Sequence, residues 1–427
     1  MAIDTASVPA VGPASPGSPS TARRSSWAGV VSLMIGVFAL VTSEFLPASL
    51  LSPIASGLNV SEGTAGQAVT ATALVGMIAG PTVGMLFPRL DRRTLLVGLA
   101  LLAAFSNLLV AVAPSFWLLV VARLLLGVAI AGFWSMALAV SAQLVASQHL
   151  GRAMMIVNTG VSVATVVAVP LGAYLGSLWG WRTVFLLVAA VSVLSAIVQI
   201  ICLPKVAAAA VSGPRTLLET LRSPVMIIGL AGIALLAGGH FASFTYIRLG
   251  AADIPGLDAG GLAIILAAYG VGGFFGNLAA GILADRRLRF ALVAMPVTIG
   301  VAVTVFALLP NVVPLAFAAV AVWGFAFGGV PTLVQTWAAR VEPDRMEAAG
   351  GLVVASFQMA IALGAAAGGL LVDGAGVTDA FLAGGVAAVL GGVLLGLARK
   401  RTSTRGAAAN ETPVTDARAT DALAAGD

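Results

Sequence analysis

Twelve apolar stretches, each long enough to cross a lipid bilayer, follow one another along this chain of 427 residues. A helix needs about 20 apolar residues to cross the hydrocarbon core. The stretches run over residues 28–50, 66–88, 94–113, 116–142, 152–178, 182–203, 224–247, 259–284, 290–309, 313–338, 347–372 and 379–398. Because no water reaches the backbone inside a bilayer, each stretch must satisfy its own hydrogen bonds, and this requires helices. The sequence therefore predicts an all-α membrane protein with twelve transmembrane helices, numbered here as spans 1–12.

The composition excludes several other classes of protein. Only 9% of the residues are charged, whereas soluble proteins contain about 25%. The net charge of +5 comes from short basic clusters between apolar runs, which argues against a nucleic-acid partner. The single cysteine, Cys202, and two distant histidines form no disulfide or metal set. We expect neither an enzyme nor a protein with a metal or another cofactor.

The basic residues predict the orientation of the chain. With the N-terminus inside, 19 of the 22 lysines and arginines lie on the cytoplasmic side. Arg182 and Arg248 lie outside, and Arg123 lies within span 4. Positive charges are enriched in cytoplasmic loops. The pattern therefore predicts a multi-pass inner-membrane protein with both termini in the cytoplasm.

An internal repeat relates the two halves of the chain at a constant offset of 197 residues. The offset carries four loop positions onto four others, namely Gly84, Leu86, Arg89 and Arg92 onto Gly281, Leu283, Arg286 and Arg289. It also carries Gly127 onto Gly324 and Gly132 onto Gly329. Two parallel halves of six helices around a midplane cavity are the architecture of alternating-access transporters.

These boundaries predict five regions. Residues 1–26 and 399–427 are predicted to be disordered cytoplasmic tails, because they are polar or rich in Pro, Ser, Ala and Gly. A twin-arginine signal at Arg23 and Arg24 is the alternative for the first tail. Residues 27–203 and 224–398 are the two six-helix bundles, and residues 204–223 are a cytoplasmic linker.

The loop at 281–287 has the sequence Gly-Ile-Leu-Ala-Asp-Arg-Arg. It matches a loop motif of the major facilitator superfamily, which the chain resembles over its whole length. Arg123 with Gly127 resembles a motif of its proton-linked members. Three positions of span 5 resemble its antiporter motif: Gly160, Pro170 and Gly172. The resemblance implies a drug:proton antiporter with twelve helices and a proton gradient as its source of energy.

A closer resemblance lies in five short stretches, namely Glu44–Pro47, Ser61–Gly63, Gly132–Trp134, Gly180–Arg182 and Phe244–Arg248. These stretches resemble purine ribonucleoside efflux pumps and, less closely, arabinose and sugar efflux permeases. The chain departs from the superfamily pattern at Pro88, where the resemblance implies an Asp, and the loop ends in Asp91-Arg92-Arg93. This departure removes one acidic partner from the charge network of the first half.

Glu44 is the one carboxylate deep inside a predicted span. Ionisable residues at bilayer depth mark transport pathways by default, and burial disfavours the charged form of a carboxyl. We expect Glu44 to exchange a proton. Arg123 lies at a similar depth, roughly 10 Å from the outer face at ~1.5 Å per residue. The alternatives are that Glu44 is a structural carboxylate paired with Arg123, and that Arg123 is an anchor between helices.

His240 corresponds to position 43 at the repeat offset, beside Glu44. It is therefore a candidate second proton-exchanging group, because the charge of histidine changes near neutral pH. The alternative is a histidine hydrogen-bonded by a neighbouring helix.

Aromatic and amide side chains are the candidates for the substrate cavity. Amides can read ring edges, and aromatic rings can stack on a base. The candidates are Phe133, Trp134, Asn158, Trp323, Phe327 and Gln335. For each of them, ordinary helix packing is the alternative.

Two groups of residues are candidates for gating. The first is a cytoplasmic latch formed by Asp285 and Arg286, with Asp91 and Arg92 at the equivalent loop of the first half. The alternative is a solvated loop, in which exposed ion pairs contribute at most ~1 kcal/mol. The second group is the antiporter motif of span 5, where Pro170 interrupts the helical hydrogen bonds.

The sequence thus predicts a monomeric proton-coupled efflux transporter in the lipid bilayer, which the resemblance implies exports purine ribonucleosides such as inosine and guanosine. A sugar or multidrug efflux permease is the first alternative. A non-transporting membrane sensor is the second alternative.

Overall fold

The computed structural model describes residues 26–207 and 213–398, and the described part is almost entirely helical. The predicted tails, apart from Ser26, lie outside these residues. Ten helical segments and one double-length helix form the membrane-spanning core. They are Trp27–Ser49, Glu62–Leu86, Arg92–Val112, Phe116–Leu144, Leu150–Val163 extended to Trp179, Trp181–Cys202, Pro224–Phe244, Ala259–Leu308, Val313–Gly328 extended to Val341, Met346–Ala375 and Val377–Leu397.

The double-length helix contains two spans. Ala259–Leu308 has 50 residues, which corresponds to roughly 75 Å of helix at 1.5 Å per residue. A bilayer core is only about 30 Å thick. The backbone bends at Arg287, whose φ of −141° and ψ of 44° are not helical. The eleven candidate spans among the described residues therefore give twelve crossings, as the sequence predicted.

Two other spans are each built from shorter pieces. Span 5 consists of Leu150–Val163, a π-helical segment at Ala164–Ala168 and Val169–Trp179. Span 10 consists of Val313–Gly328 and Val330–Val341.

Short helices lie between the spans. Leu51–Leu58 follows span 1, Ser147–His149 is a 3-10 turn before span 5, and Ile247–Ala251 follows span 7. The predicted linker contains the helix Pro214–Arg222.

The internal repeat is visible in the packing of equivalent glycines. A Cβ on Gly127 would lie 2.5 Å from the carbonyl oxygen of Thr72, and a Cβ on Gly324 would lie 2.0 Å from that of Tyr269. Thr72 and Tyr269 are themselves separated by the offset of 197. In both halves, therefore, the same glycine lets two helices touch backbone to backbone, as small residues do in membrane bundles.

The connections between the spans define two ends of the molecule. Spans 2 and 3, 4 and 5, 8 and 9, and 10 and 11 are joined at one end. This end carries Arg92, Arg152, Arg286 and Arg345, and we call it the basic end. The other end is called the opposite end.

The substitution Gly324→Ala tests the close approach of spans 8 and 10. The added methyl group overlaps the Tyr269 carbonyl, and such overpacking costs about 1–3 kcal/mol. We expect a lower thermal unfolding midpoint of the purified protein in detergent. Gly98→Ala is the control, because a Cβ at Gly98 meets nothing within 4 Å. Equal midpoints for the two variants would contradict the proposed contact.

Candidate functional site

Arg123 joins spans 1 and 4 in the half of the membrane nearer the opposite end. Its side chain is fully buried. It donates hydrogen bonds to the backbone carbonyl oxygens of Ser43, at 2.8 Å, and of Glu44, at 3.1 Å. Asn107 donates to the Ser43 hydroxyl at 2.8 Å. Arg123 thus anchors the turn of span 1 that carries Glu44, as one of the sequence-based alternatives predicted.

The carboxylate of Glu44 is left for other partners. Its side chain is half-buried, and within residues 26–207 and 213–398 no salt bridge joins it to Arg123 or to another cation. The Nε of Arg123 is buried without a hydrogen-bond partner. The site therefore combines a partly accessible carboxylate with a fixed guanidinium beside it. Such a pair can hold a proton, or bind a polar ligand, at membrane depth.

His240 lies at the centre of an aromatic cluster formed by spans 7, 8 and 10. Its ring stacks on Phe327 at a centroid distance of 3.3 Å and on Phe244 at 5.3 Å. Tyr269 stacks on it at 6.1 Å, and Trp323 meets it edge-on at 5.7 Å. The structure thus brings His240, Trp323 and Phe327 together, and adds Phe244 and Tyr269.

Hydrogen bonds define the protonation state of His240 in this conformation. The indole nitrogen of Trp323 lies 3.0 Å from Nδ1 of His240. Indole can only donate, so Nδ1 must accept and carries no proton. Nε2, which lies 3.4 Å from the Tyr269 hydroxyl, then carries the ring proton. Protonating Nδ1 requires Trp323 to move, so His240 is a neutral, hydrogen-bonded residue here.

The other predicted cavity residues have different surroundings. Phe133 is fully buried, and its ring occupies the space beside Gly36 and Gln199. In this conformation it packs inside the first half and does not reach open space. Trp134 is half-buried against the same core. Gln335 is half-buried, and its Oε1 is buried without a hydrogen-bond partner.

Asn158 belongs to a polar seam between the two halves. Its amide donates to the Thr332 hydroxyl at 3.1 Å, and that hydroxyl donates to Oδ1 of Asn277 at 2.7 Å. Asn277 donates in turn to the Met155 carbonyl and the Thr159 hydroxyl. Asn158 lies eight residues into span 5, so this seam is roughly 12 Å from the basic end.

At the basic end, Arg92 and Glu347 form a buried ion pair between the two halves. Nε and Nη2 of Arg92 each lie 2.6 Å from one carboxylate oxygen of Glu347. The side chains are 0% and 4% exposed. Nη1 of Arg92 donates to the carbonyls of Phe87 and Leu90. Charge-assisted hydrogen bonds of this bidentate kind are stronger than hydrogen bonds between neutral groups.

Asp285 makes the second contact between the halves. Its carboxylate accepts from the backbone N–H groups of Gly151, at 2.7 Å, and Arg152, at 3.2 Å, at the start of span 5. A negative charge at a helix N-terminus is favourable. Arg286 beside it is exposed. Asp91 has a local role instead, since it caps span 3 by accepting from Arg93 and Thr94.

Pro88 stands where the resemblance implies an acidic residue, and another acidic residue supplies a carboxylate to this loop. Pro88 is equivalent to Asp285 at the offset of 197 and cannot cap a helix as Asp285 does. In its place Glu347, in the first turn of span 11, supplies a carboxylate to Arg92. Each of these two contacts between the halves therefore has one carboxylate, carried by the end of span 8 in one case and by the start of span 11 in the other.

The antiporter motif of span 5 packs on span 1. A Cβ on Gly160 would lie 2.4 Å from the Met34 carbonyl oxygen, and a Cβ on Gly172 would overlap the Leu46 side chain. Pro170 stands in the first turn after the π-helical segment. The two glycines therefore belong to the contact of spans 1 and 5, whereas Pro170 is exposed.

Sequence reasoning missed Glu347, Thr332 and Tyr269. The sequence did signal Glu347, because it is an acid in the first turn of a predicted span, two residues after Arg345. Thr332 and Tyr269 carried no signal, because hydroxyls are common within membrane helices and bond to their own backbone.

The hydrogen bonds between the halves are concentrated toward one end. Every hydrogen bond between them within the described residues lies at the basic end or in the Asn158 seam. Glycine contacts add to this closure, since Gly351 lies against Gly80, and Gly350 against Ser135. Two six-helix halves that close one end around polar and aromatic groups at membrane depth define a transporter of the alternating-access class.

The chain belongs to the Major Facilitator Superfamily, whose family model matches residues 33–341 and 249–423. Proteins of this family carry small molecules across membranes. The sequence-based prediction of the family and of its fold is thereby confirmed.

Two curated relatives cover most of the chain. One is the "Transcription regulatory protein OpdE" of Pseudomonas aeruginosa, 37% identical over 362 residues, which are 84% of this chain and 90% of the relative. The other is the "Purine ribonucleoside efflux pump NepI" of Escherichia coli K12, 35% identical over 372 residues, which are 87% of this chain and 94% of the relative.

Solved structures share the fold. The Major Facilitator Superfamily transporter FucP in the outward conformation has a TM-score of 0.73 at 16% identity, over 87% of this chain and 99% of FucP. The human organic anion transporter MFSD10 has a TM-score of 0.69 at 16% identity, over the same shares of the two chains.

Glu347→Gln tests whether the ion pair holds the basic end closed. Removing one partner of a buried pair costs about 3–5 kcal/mol, because the other charge stays buried. A reporter cysteine can replace Ser135, whose backbone lies against Gly350, in a Cys202→Ser background. We expect a maleimide that reaches only the basic end to label it at least about tenfold faster in the variant.

Glu219→Gln is the matched control, because this half-exposed carboxylate pairs with Arg215 and Arg345 and does not join the first half to the second. Its labelling rate should equal that of the parent. Equal rates for the Glu347 variant and the parent would show that the ion pair does not hold this end closed.

Proposed function

We propose that this chain is a proton-coupled antiporter that exports purine ribonucleosides such as inosine and guanosine across the bacterial inner membrane. The observation that carries the proposal is the partly accessible Glu44 carboxylate, anchored at membrane depth in a chain 35% identical to a purine ribonucleoside efflux pump. In this proposal the protein works as a monomer and needs no cofactor beyond the proton gradient.

The proposed orientation places the basic end in the cytoplasm, with both termini. It is supported by the 19 basic residues that then lie inside. The conformation closed at the basic end is then the outward-facing state. The latch of Arg92 with Glu347, and of Asp285 with span 5, would separate when the transporter turns inward.

Glu44 is the proposed coupling group. In the inward-facing state it is ionised and substrate binds from the cytoplasm. In the outward-facing state Glu44 takes up a proton and substrate leaves. Arg123 keeps the carboxylate in place through the backbone of its own turn. His240 is a weaker candidate, because Trp323 occupies its Nδ1.

The aromatic cluster supports a substrate with a flat ring. Phe244 and Tyr269 are both half-buried, and their ring centroids lie 4.5 Å apart. A purine can stack on such rings, while Gln335 offers a carbonyl oxygen without a partner. One charge that moves through ~100 mV supplies about 2.3 kcal/mol, which supports roughly a fiftyfold gradient per proton.

A second candidate function is membrane sensing without transport. The relative that is 37% identical is named a transcription regulatory protein, and such a role requires binding but no flux. A sugar or multidrug efflux permease is the third candidate, since other ring-shaped or amphipathic substrates fit an aromatic wall.

Inosine flux in proteoliposomes with an imposed pH gradient distinguishes these functions. We expect the parent protein to move inosine against its gradient. We expect Glu44→Gln to lose gradient-driven transport, because a neutral amide cannot bind and release the proton. Asp253→Asn is the control, since this carboxylate is exposed in the loop after span 7.

Each other outcome excludes one part of the proposal. Inosine binding without flux would favour the sensor. Flux of sugars or chloramphenicol without inosine flux would favour the permease. Normal pumping by Glu44→Gln would place the proton site elsewhere.

Phe244→Ala tests the aromatic wall. Loss of one stacking ring costs about 1–3 kcal/mol per base, so we expect the KM for inosine to rise roughly tenfold. Phe275→Ala is the control, because this ring is 56% exposed and contacts Phe274 instead. A KM that rises equally in both variants would argue against stacking on this cluster.

A further inference from the structure

A basic pocket of about 440 Å³ opens at the basic end of the second half. It lies between the bend that joins spans 8 and 9, the end of span 10 and the end of span 12. Four arginines converge on it: Arg286, Arg287, Arg289 and Arg340. Trp337 also lines it, and the indole nitrogen donates to the Ala398 carbonyl at 3.0 Å. The pocket is separate from the aromatic cluster and from Glu44.

The positive charge of this pocket is not neutralised by the described part of the chain. Arg286, Arg287 and Arg289 are exposed, and none of them makes a hydrogen bond or ion pair with residues 26–207 or 213–398. Arg340 is fixed in place, since it donates to the Ala284 carbonyl at 2.7 Å. The neighbouring carboxylate of Asp285 is engaged by span 5.

The arginine of the first half that is equivalent to Arg289 has a carboxylate partner. Arg289 is equivalent to Arg92 at the offset of 197, and Arg92 is neutralised by Glu347. The residue equivalent to Glu347 is Leu150, which carries no charge. A general excess of basic residues in cytoplasmic loops accounts for arginines on this face. It does not account for four of them around one cavity whose lining contains no carboxylate.

The surroundings indicate which anion fits. Phe290 lines the pocket and is 63% exposed, and Leu397, next to Ala398, is 63% exposed as well. Apolar surface thus continues from the pocket toward the lipid, which suits a ligand with a charged head and apolar chains. Guanidinium groups bind phosphate in a two-pronged geometry. Basic pockets between helices on the cytoplasmic side are suited to anionic lipid head groups.

We propose that this pocket binds the phosphate head group of an anionic phospholipid, with the acyl chains along Phe290 and Leu397. The ligand supplies the negative charge that Glu347 supplies in the first half. It thereby holds the bend between spans 8 and 9 against the ends of spans 10 and 12. The proposal does not depend on the identity of the transported substrate.

The test measures lipid binding to the full chain in detergent by native mass spectrometry, with phosphatidylglycerol and phosphatidylcholine as probes. The variant carries Arg286→Gln, Arg287→Gln and Arg289→Gln. The control carries Arg89→Gln, Lys205→Gln and Arg222→Gln, which removes the same charge from exposed positions on the same face. Thermal unfolding checks that both variants are folded. If the first does not fold, Arg289→Gln alone is compared with Arg89→Gln.

We expect the parent to prefer phosphatidylglycerol, and the triple variant to lose roughly a hundredfold in affinity for it. The control should keep the affinity of the parent. Equal losses in both variants would mean general surface attraction and would overturn the proposal. Displacement of the lipid by glycerol phosphate at equal concentration would also overturn it, because the site would then recognise a soluble phosphate and not a lipid.

Discussion

Two nitrogens of Arg92 meet the carboxylate of Glu347 in a place that water does not reach. Parting the halves at this end exposes both charges to water together, whereas losing only one partner leaves a buried charge. Intermediate arrangements are therefore costly, and the closed end is a discrete state. The Asp285 cap and the Asn158 seam lie along the same interface, so they open or close with this pair.

The duplicated scaffold carries different chemistry at equivalent positions. Ser43 and His240 are related by the repeat offset. In the first half, this turn is held by Arg123 and presents a carboxylate. In the second half, His240 is surrounded by aromatic rings. In the proposed mechanism one half exchanges the proton and the other binds the ring of the substrate. The rocking of the two halves then links the two events.

The sequence predicted the spans and the repeat because both depend on local composition and on a constant offset. It also predicted that Arg123 and Glu44 lie close together, because depth follows from the count of residues. It could not predict the pairing of Arg92 with Glu347, since these residues are separated by 255 positions and meet only when the halves close. It also missed the environment of His240, because the rings of Phe244, Tyr269, Trp323 and Phe327 converge there from three spans and hydropathy does not encode direction. The sequence placed a boundary between spans 8 and 9 at the charged residues around Arg287, and the backbone bends there.

The π-helical segment of span 5 determines which face of the helix its two motif glycines occupy. Gly160 and Gly172 are twelve residues apart, and in an uninterrupted α-helix they would point roughly 120° away from each other. Both nevertheless face span 1. The π turn at Ala164–Ala168 takes up one extra residue without advancing the helix, and this reduces the angle to roughly 20°. A span without this turn would present the same two glycines to span 1 only at a spacing of about eleven residues. The register of the motif is therefore set by backbone winding as well as by sequence.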